Sequence, residues 1–177
     1  MTSSLSYLVG QTLTWTPTAI LKTRYDLIGP EAVPLASLDM SNWSSKANAT
    51  VPEGTLFIKK EGWSGKKIAI YAMERGPLIA TYQRTWTGTS GNLVFSNGRT
   101  FRWRKSNFWG TQKAWTDAAG NTSYVQFSAH SFSRKIEVIF DSQAGQIQEL
   151  SLLLVLGLYN IVVERRDAAA ASASASV

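Results

Sequence analysis

The chain has no cysteine and a single histidine among its 177 residues. The first absence removes disulfides, thiolate nucleophiles and zinc–thiolate centres, and the second removes a His-rich metal site built within one chain. There is no phosphate loop, no dinucleotide-binding glycine pattern, and no G-x-S-x-G elbow around any serine. The N-terminus lacks the basic stretch and apolar core of a secretory leader, so a cytoplasmic location is expected, with a peripheral membrane position as its variant. What remains is 44% hydrophobic and 17% charged, with seven Trp, six Tyr and seven Phe, which places the chain among folded proteins. Its length suits one domain, expected over residues 1–167, followed by a disordered Ala/Ser tail at 168–177.

The formal net charge of +6 is unevenly distributed. From Lys59 to Lys113 there are eleven Lys and Arg against Glu61 and Glu74 alone, while the segments on either side are slightly acidic. Such a segment suits an anionic partner; it equally suits a wet strand face that needs charge only for solubility.

Short alternating runs separated by turn residues dominate the chain. Leu56–Lys60, Lys67–Met73, Leu78–Trp86, Asn92–Phe95, Arg99–Arg104, Phe108–Trp115, Thr122–Phe127 and Lys135–Phe140 read as strands, as does Ile20–Ile28. The period of two sets Leu78, Ala80, Tyr82 and Trp86 on one face, and Phe101 and Trp103 opposite Arg102 and Arg104. Asn97-Gly98 predicts a type I′ hairpin turn. Pro34–Pro52 is less periodic, and short strands, loops or a brief helix all fit it. Turn signals at this spacing point to an antiparallel barrel or sandwich.

Leu150–Val163 breaks the pattern: it is apolar on every side and Leu-rich, which favours a helix. Fourteen helical residues span about 21 Å, short of the roughly 30 Å apolar layer of a bilayer. No full transmembrane span is expected, and such a helix belongs in a protein core, with a membrane anchor, tilted or extended backwards from Gln146, as the alternative.

Tyr25-Asp26-Leu27-Ile28-Gly29, the hairpin at Asn97-Gly98, Trp115-Thr116-Asp117-Ala118-Ala119-Gly120 and the Leu152–Val163 run together resemble the tubby C-terminal-like superfamily, in particular its phospholipid scramblase and LURP-one-related branch. The likeness extends from Thr12 to Glu164. It implies a mainly β fold, a closed antiparallel barrel of about twelve strands enclosing the hydrophobic C-terminal helix. For function it implies a non-enzymatic lipid-binding module: tubby-type members bind phosphoinositides through a basic patch, and scramblase-type members are associated with lipid movement and calcium. The stretch before the helix here has only Asp141 and Glu149 as carboxylates, too few for a hard cation, so neither a metal nor another cofactor is expected.

Two clusters are candidates for anionic-ligand binding. Lys59, Lys60, Lys66 and Lys67 flank Gly62-Trp63-Ser64-Gly65, where Trp63 would sit at headgroup level; the competing arrangement pairs the lysines with Glu61 and packs Trp63 inward. Arg99, Arg102, Arg104 and Lys105 form the second. Basic residues among aromatics also suit single-stranded nucleic acid, but alternation turns Phe101 and Trp103 away from the arginines, so nucleic acid is not the expected partner. An anionic phospholipid is, with a soluble protein-interaction domain as the alternative. His130 could serve a nearby Ser as general base, but an ordinary loop position fits it better.

Overall fold

The structure, a computed structural model, describes residues 5–18, 23–130 and 132–175. Twelve strands follow one another: β1 (Thr12–Pro17), β2 (Thr23–Ile28), β3 (Pro34–Met40), β4 (Ala47–Val51), β5 (Gly54–Glu61), β6 (Lys67–Tyr71), β7 (Leu78–Arg84), β8 (Gly91–Phe95), β9 (Thr100–Lys105), β10 (Gln112–Asp117), β11 (Ser123–Ser128) and β12 (Ile136–Phe140). Each pairs antiparallel with its sequence neighbours, and β1 closes on β12 with Leu13 opposite Val138 and Trp15 opposite Ile136. The result is the closed barrel that the resemblance implies, and the barrel rather than the sandwich of the two arrangements that the alternation leaves open. Closure leaves no free sheet edge.

The helix α1 (Leu150–Ser174) threads the barrel, and all of Leu150–Val163 is buried. The wall is built to fit it. On the side of β3 and β4 the helix passes small inward residues, Ala36, Ala47 and Ala49. On the other side aromatics fill the space: Trp103 packs on Trp115 at 5.0 Å and on Phe127 at 5.3 Å, and Tyr82 meets Trp115 edge-on at 5.7 Å between centroids. Gly157 lies directly against the wall; a Cβ there would lie 2.2 Å from Phe127 Cζ. Tyr159 donates its hydroxyl to the Ser45 carbonyl at 2.7 Å, tying helix to wall.

The two barrel ends differ. At one, the 3-10 turns Ser6–Leu8 and Ser142–Gln146 lie together and bury Leu8 and Ala144. This closed end also holds the start of α1, where Glu149 pairs with Arg99 at 2.6 Å. A carboxylate beside a helix N-terminus is stabilised by the backbone dipole. At the other end α1 leaves the barrel.

Several local expectations change. In Pro34–Pro52, of the short strands, loops or brief helix left open, the strands are what forms: β3 and β4 bury Ala36, Leu38 and Met40 and then Ala47, Ala49 and Val51 on the period of two. The strand expected at Phe108–Trp115 starts only at Gln112, with Phe108 and Trp109 in the preceding turn. Trp86 leaves the face of Ala80 and Tyr82 because β7 ends at Arg84, and a register shift opposite Ile70/Tyr71 leaves Leu78 exposed. The β8–β9 turn is not type I′, which needs positive φ at both central residues. Ala32 is the one described non-glycine with positive φ, so Asn97 does not qualify. Instead Gly98, at φ +85°, closes a three-residue turn: its N–H donates to Phe95 O and the Phe95 N–H donates to Arg99 O, both at 2.9 Å. Finally, α1 continues through the stretch expected as a disordered tail, and residues 168–174 are exposed helix. Alanine has the highest helix propensity, and an existing helix extends without a new nucleus. Part of the Ile20–Ile28 strand, residues 20–22, lies outside the described residues.

Two outcomes follow from this packing. Gly157→Ala gains helix propensity yet should lower stability by about 1–3 kcal/mol through overpacking against Phe127, read as a lower urea midpoint that Phe127→Leu restores in the double variant. Burial raises the pKa of the Tyr82 and Tyr159 hydroxyls well above that of a free phenol. The folded state therefore holds protons that the unfolded chain releases, and stability is full below pH ~10 and falls as pH rises beyond it. Absorbance of ionised tyrosine should appear for these two only on unfolding; their titration in the folded protein at the ordinary pKa would contradict the enclosed core.

Candidate functional site

Chemistry-bearing side chains gather where α1 leaves the barrel. Strand alternation decides this for Lys60: it shares the inward phase of Leu56 and Ile58, so it points into the barrel mouth rather than out from the wall. Arg84 follows Ala80 and Tyr82 into the mouth in the same way, and Lys113 precedes Trp115. They face Glu164-Arg165-Arg166-Asp167, the charged segment of α1 at the exit. Arg84 pairs with Asp167 at 3.3 Å, and Lys113 pairs with Glu164. Arg165 donates to the His130 carbonyl at 3.0 Å; Arg166 donates to the Ser41 carbonyl at 3.0 Å and to Thr23 Oγ1 at 2.8 Å. The exit segment is thus fastened to strands and loops around the whole mouth.

Positive charge exceeds negative there, and the lysines register it. Burial, followed by the fields of Lys105, Arg165 and Arg84, pushes the Lys113 ammonium down to about 8, so it stays protonated against Glu164 at neutral pH. Burial also lowers the Lys60 pKa; Asp167 opposes that shift while Arg84 and Arg166 add to it. Two clefts flank the helix. The first, about 620 Å³, includes Lys60, Lys66, Arg84, Trp86, Glu164 and Asp167 in its lining. The second, about 550 Å³, includes Trp109, Lys113, Phe132, Arg134, Glu164 and Arg165.

The nine residues expected to bind an anion do not form one patch. Lys59 and Lys67 lie on the outer wall and both pair with Glu61, at 3.6 and 3.4 Å, as in the salt-bridged alternative. The Tyr71 hydroxyl donates to Glu61 at 2.7 Å and, with the lysines, holds its carboxyl below the usual range. Trp63 is nonetheless fully exposed at the loop tip, not packed inward. Lys66 reaches across to the next loop, with its ammonium 3.5 Å from the Trp86 ring centroid. Arg104 and Lys105 are exposed near the exit end of β9, and Arg102 lies farther down its outer face. Arg99 is at the closed end, paired with Glu149.

Arg84, Lys113, Arg134 and Arg165 were not among the expected site residues. The strand phase at Lys60 and Arg84 carried the signal, since a cation in register with inward residues must sit at a barrel mouth. His130 is exposed in the β11–β12 loop. Among the described residues no group of three or more His, Asp or Glu is placed to hold a metal ion, and no helix is long and apolar enough to cross a membrane.

These features define a closed twelve-stranded up-and-down barrel threaded by its own C-terminal helix. The chain is similar in fold to the X-ray structure of a protein from Arabidopsis thaliana, with a TM-score of 0.56 over 89% of this chain and 93% of that one, at 9% sequence identity. At that identity the likeness carries the fold alone. No protein-family model matches the sequence, and no curated protein does.

Removing one member of the Lys113–Glu164 pair leaves the other enclosed without its partner. Glu164→Gln should destabilise the protein by about 3 kcal/mol, seen as a lower denaturation midpoint. The double replacement Lys113→Met/Glu164→Leu should recover most of that loss; a Glu164→Gln protein as stable as wild type would show that the pair does not hold the exit segment.

Proposed function

We propose that the protein is a non-enzymatic module that binds anionic membrane surfaces, with phosphate-bearing headgroups, phosphoinositides among them, as its ligand class. The observation that carries this reading is the pair of cation-lined clefts beside the emerging helix. Lys60, Lys66 and Arg84 converge on the first, and Arg84 alone of the three is paired with a carboxylate there. The Ser64 hydroxyl of the same loops, which accepts from the Lys66 N–H and keeps its own proton to donate, supplies a neutral donor beside the cations. A phosphate group accepts from both kinds of donor, and charge-assisted bonds are the stronger. The resemblance to tubby-type proteins points the same way, although here the cations gather at a barrel mouth and not on the outer face alone. Lys105 and Arg104 extend the positive rim, while Arg99 and the Glu61-paired Lys59 and Lys67 contribute less to it. A peripheral position at the cytoplasmic leaflet, which carries the anionic lipids, is the matching location.

Flotation with vesicles tests this directly. Vesicles containing phosphatidylserine or a phosphoinositide should carry the protein upward, and recovery should fall as salt is raised, because screening weakens exposed charge interactions. The double variant Lys60→Ala/Lys66→Ala should bind about thirtyfold more weakly, at roughly 1 kcal/mol for each cation near the surface. Equal recovery with neutral vesicles would refute the reading; no recovery with any vesicle, together with a reproducible protein partner, would favour the protein-interaction alternative.

A further inference from the structure

The seven tryptophans fall into two classes with nothing between them. Trp15, Trp103 and Trp115 are wholly buried inside the barrel, while Trp43, Trp63, Trp86 and Trp109 are each at least 82% exposed. Phe108 and Phe132 are exposed to the same degree. These six rings occupy loops at the helix-exit end: Trp43 between β3 and β4, Trp63 between β5 and β6, Trp86 between β7 and β8, Phe108 and Trp109 between β9 and β10, and Phe132 between β11 and β12; at the closed end Tyr7, in the Ser6–Leu8 turn, is the exposed aromatic, at 66%. The loops of the closed end, residues 29–33, 52–53, 72–77, 96–99 and 118–122, contain no aromatic residue.

Folding does not require these rings where they are. Each sits among turn residues that would suffice alone, as in Asn42-Trp43-Ser44, Gly62-Trp63-Ser64 and Thr85-Trp86-Thr87. The loops satisfy their own polar groups and hold the tips in place. Ser41 Oγ accepts from the Ser44 N–H at 3.1 Å, Asn107 donates to Thr111 Oγ1 at 2.8 Å, and Thr85 and Ser90 share a hydroxyl bond at 3.0 Å. Successive tips are two strands apart around the rim, roughly 10 Å.

We propose that this aromatic crown seats in the interfacial layer of an anionic bilayer, so that the barrel docks end-on with its helix-exit end toward the membrane. The inference rests on the membrane reading above and adds to it the inserting residues and the orientation. Tryptophan and phenylalanine side chains favour the boundary between headgroups and acyl chains, and the indole N–H keeps a polar partner there. Cations stand between the rings, as a negatively charged surface requires: Lys66 against Trp86, Lys105 beside the Phe108–Trp109 loop, and Arg134 beside Phe132. Of the crown rings only Phe108 and Trp109 pack on one another, at 5.5 Å between centroids; the others stand apart, with Trp86 at the first cleft and Trp109 and Phe132 at the second. A fluid surface accommodates separate rings without complementary pockets. The exposed helical residues 168–174 leave through the same end and carry no charge, so they enter the interface with the rings and do not hold them away.

The test uses the full chain with phosphatidylcholine vesicles, with and without phosphatidylserine, in which the phosphatidylcholine is brominated at a known acyl position. Wild-type tryptophan emission should be quenched by the phosphatidylserine-containing set, most strongly when the bromines lie near the headgroup end, and these vesicles should protect it from iodide. The triple variant Trp63→Ser/Trp86→Ser/Trp109→Ser should bind at least about tenfold more weakly with its circular dichroism unchanged, while Val33→Ser/Met73→Ser at the closed end should bind as wild type does. Should the triple variant fail to fold, iodide protection of the wild-type protein decides alone: bound protein whose exposed tryptophans stay open to iodide overturns the crown. A folded triple variant with undiminished binding overturns the crown and leaves the membrane reading standing. Wild-type protein that ignores every vesicle overturns both. Self-association that disappears in the triple variant would assign the crown to a second copy of the chain and overturn its role at the bilayer.

Discussion

The structure depends on enclosing one helix that is apolar all round. Residues 150–163 present no polar stripe, so no surface position could accept them. A twelve-stranded barrel has the opposite difficulty: it closes its sheet edges but leaves an interior too wide for wall side chains alone to fill. Each solves the other's problem. The solution is lopsided, with alanines on the β3–β4 wall letting the helix come close and Trp103, Trp115, Tyr82 and Phe127 filling the wider side. Gly157 shows how tight the fit is, because the ring of Phe127 occupies the space a side chain would need.

Threading a helix gives the barrel a direction. The helix begins at the end closed by two short turns, where Glu149 meets Arg99, and leaves at the end where its first charged residues appear. Those residues need partners, and the last inward position of several strands supplies them: Lys60, Arg84 and Lys113 follow apolar neighbours on the same face. The basic character of the mouth thus grows from the point where an apolar interior meets water. The cationic excess between Lys59 and Lys113 corresponds to the half of the barrel from the end of β5 into β10.

The fold was largely legible in the sequence because two periodicities are strong there. Alternation marked β5, β8, β9 and β12 closely, and the unbroken apolar run marked the helix. Legibility failed where a residue's neighbours, not its own run, decide its place. Pro34–Pro52 pairs into β3 and β4 although Ser37, Asp39, Asn48 and Thr50 on the wet face dilute the hydrophobic signal. Trp86 and Trp109 look like strand residues by type, and only the turn residues around them place them on loops. The basic residues were visible as a composition, but their distribution over two ends and an outer wall depends on strand phase and length. The aromatic tips did leave a trace: Trp63, Trp86, Trp109 and Phe132 recur at steps of 23 residues. In an up-and-down barrel that step is one hairpin, and it returns the chain to the same end.

That recurrence bears on how such a barrel comes to have a working end. The wall and the interior are committed to holding the helix, and the closed end to capping it. The loops at the exit end are committed to neither, since a turn needs only suitable backbone residues and the local hydrogen bonds that Ser41, Thr85 and Asn107 already provide. Side chains added there are chosen without penalty to folding other than the exposure of apolar surface to water. Six large rings in that position raise the free energy of the isolated protein and lower it wherever water is displaced from them. Charge and aromatic surface therefore work at different ranges. In the proposed docking the cations would act over about a Debye length and orient the barrel before contact, while the rings would act only once they touch.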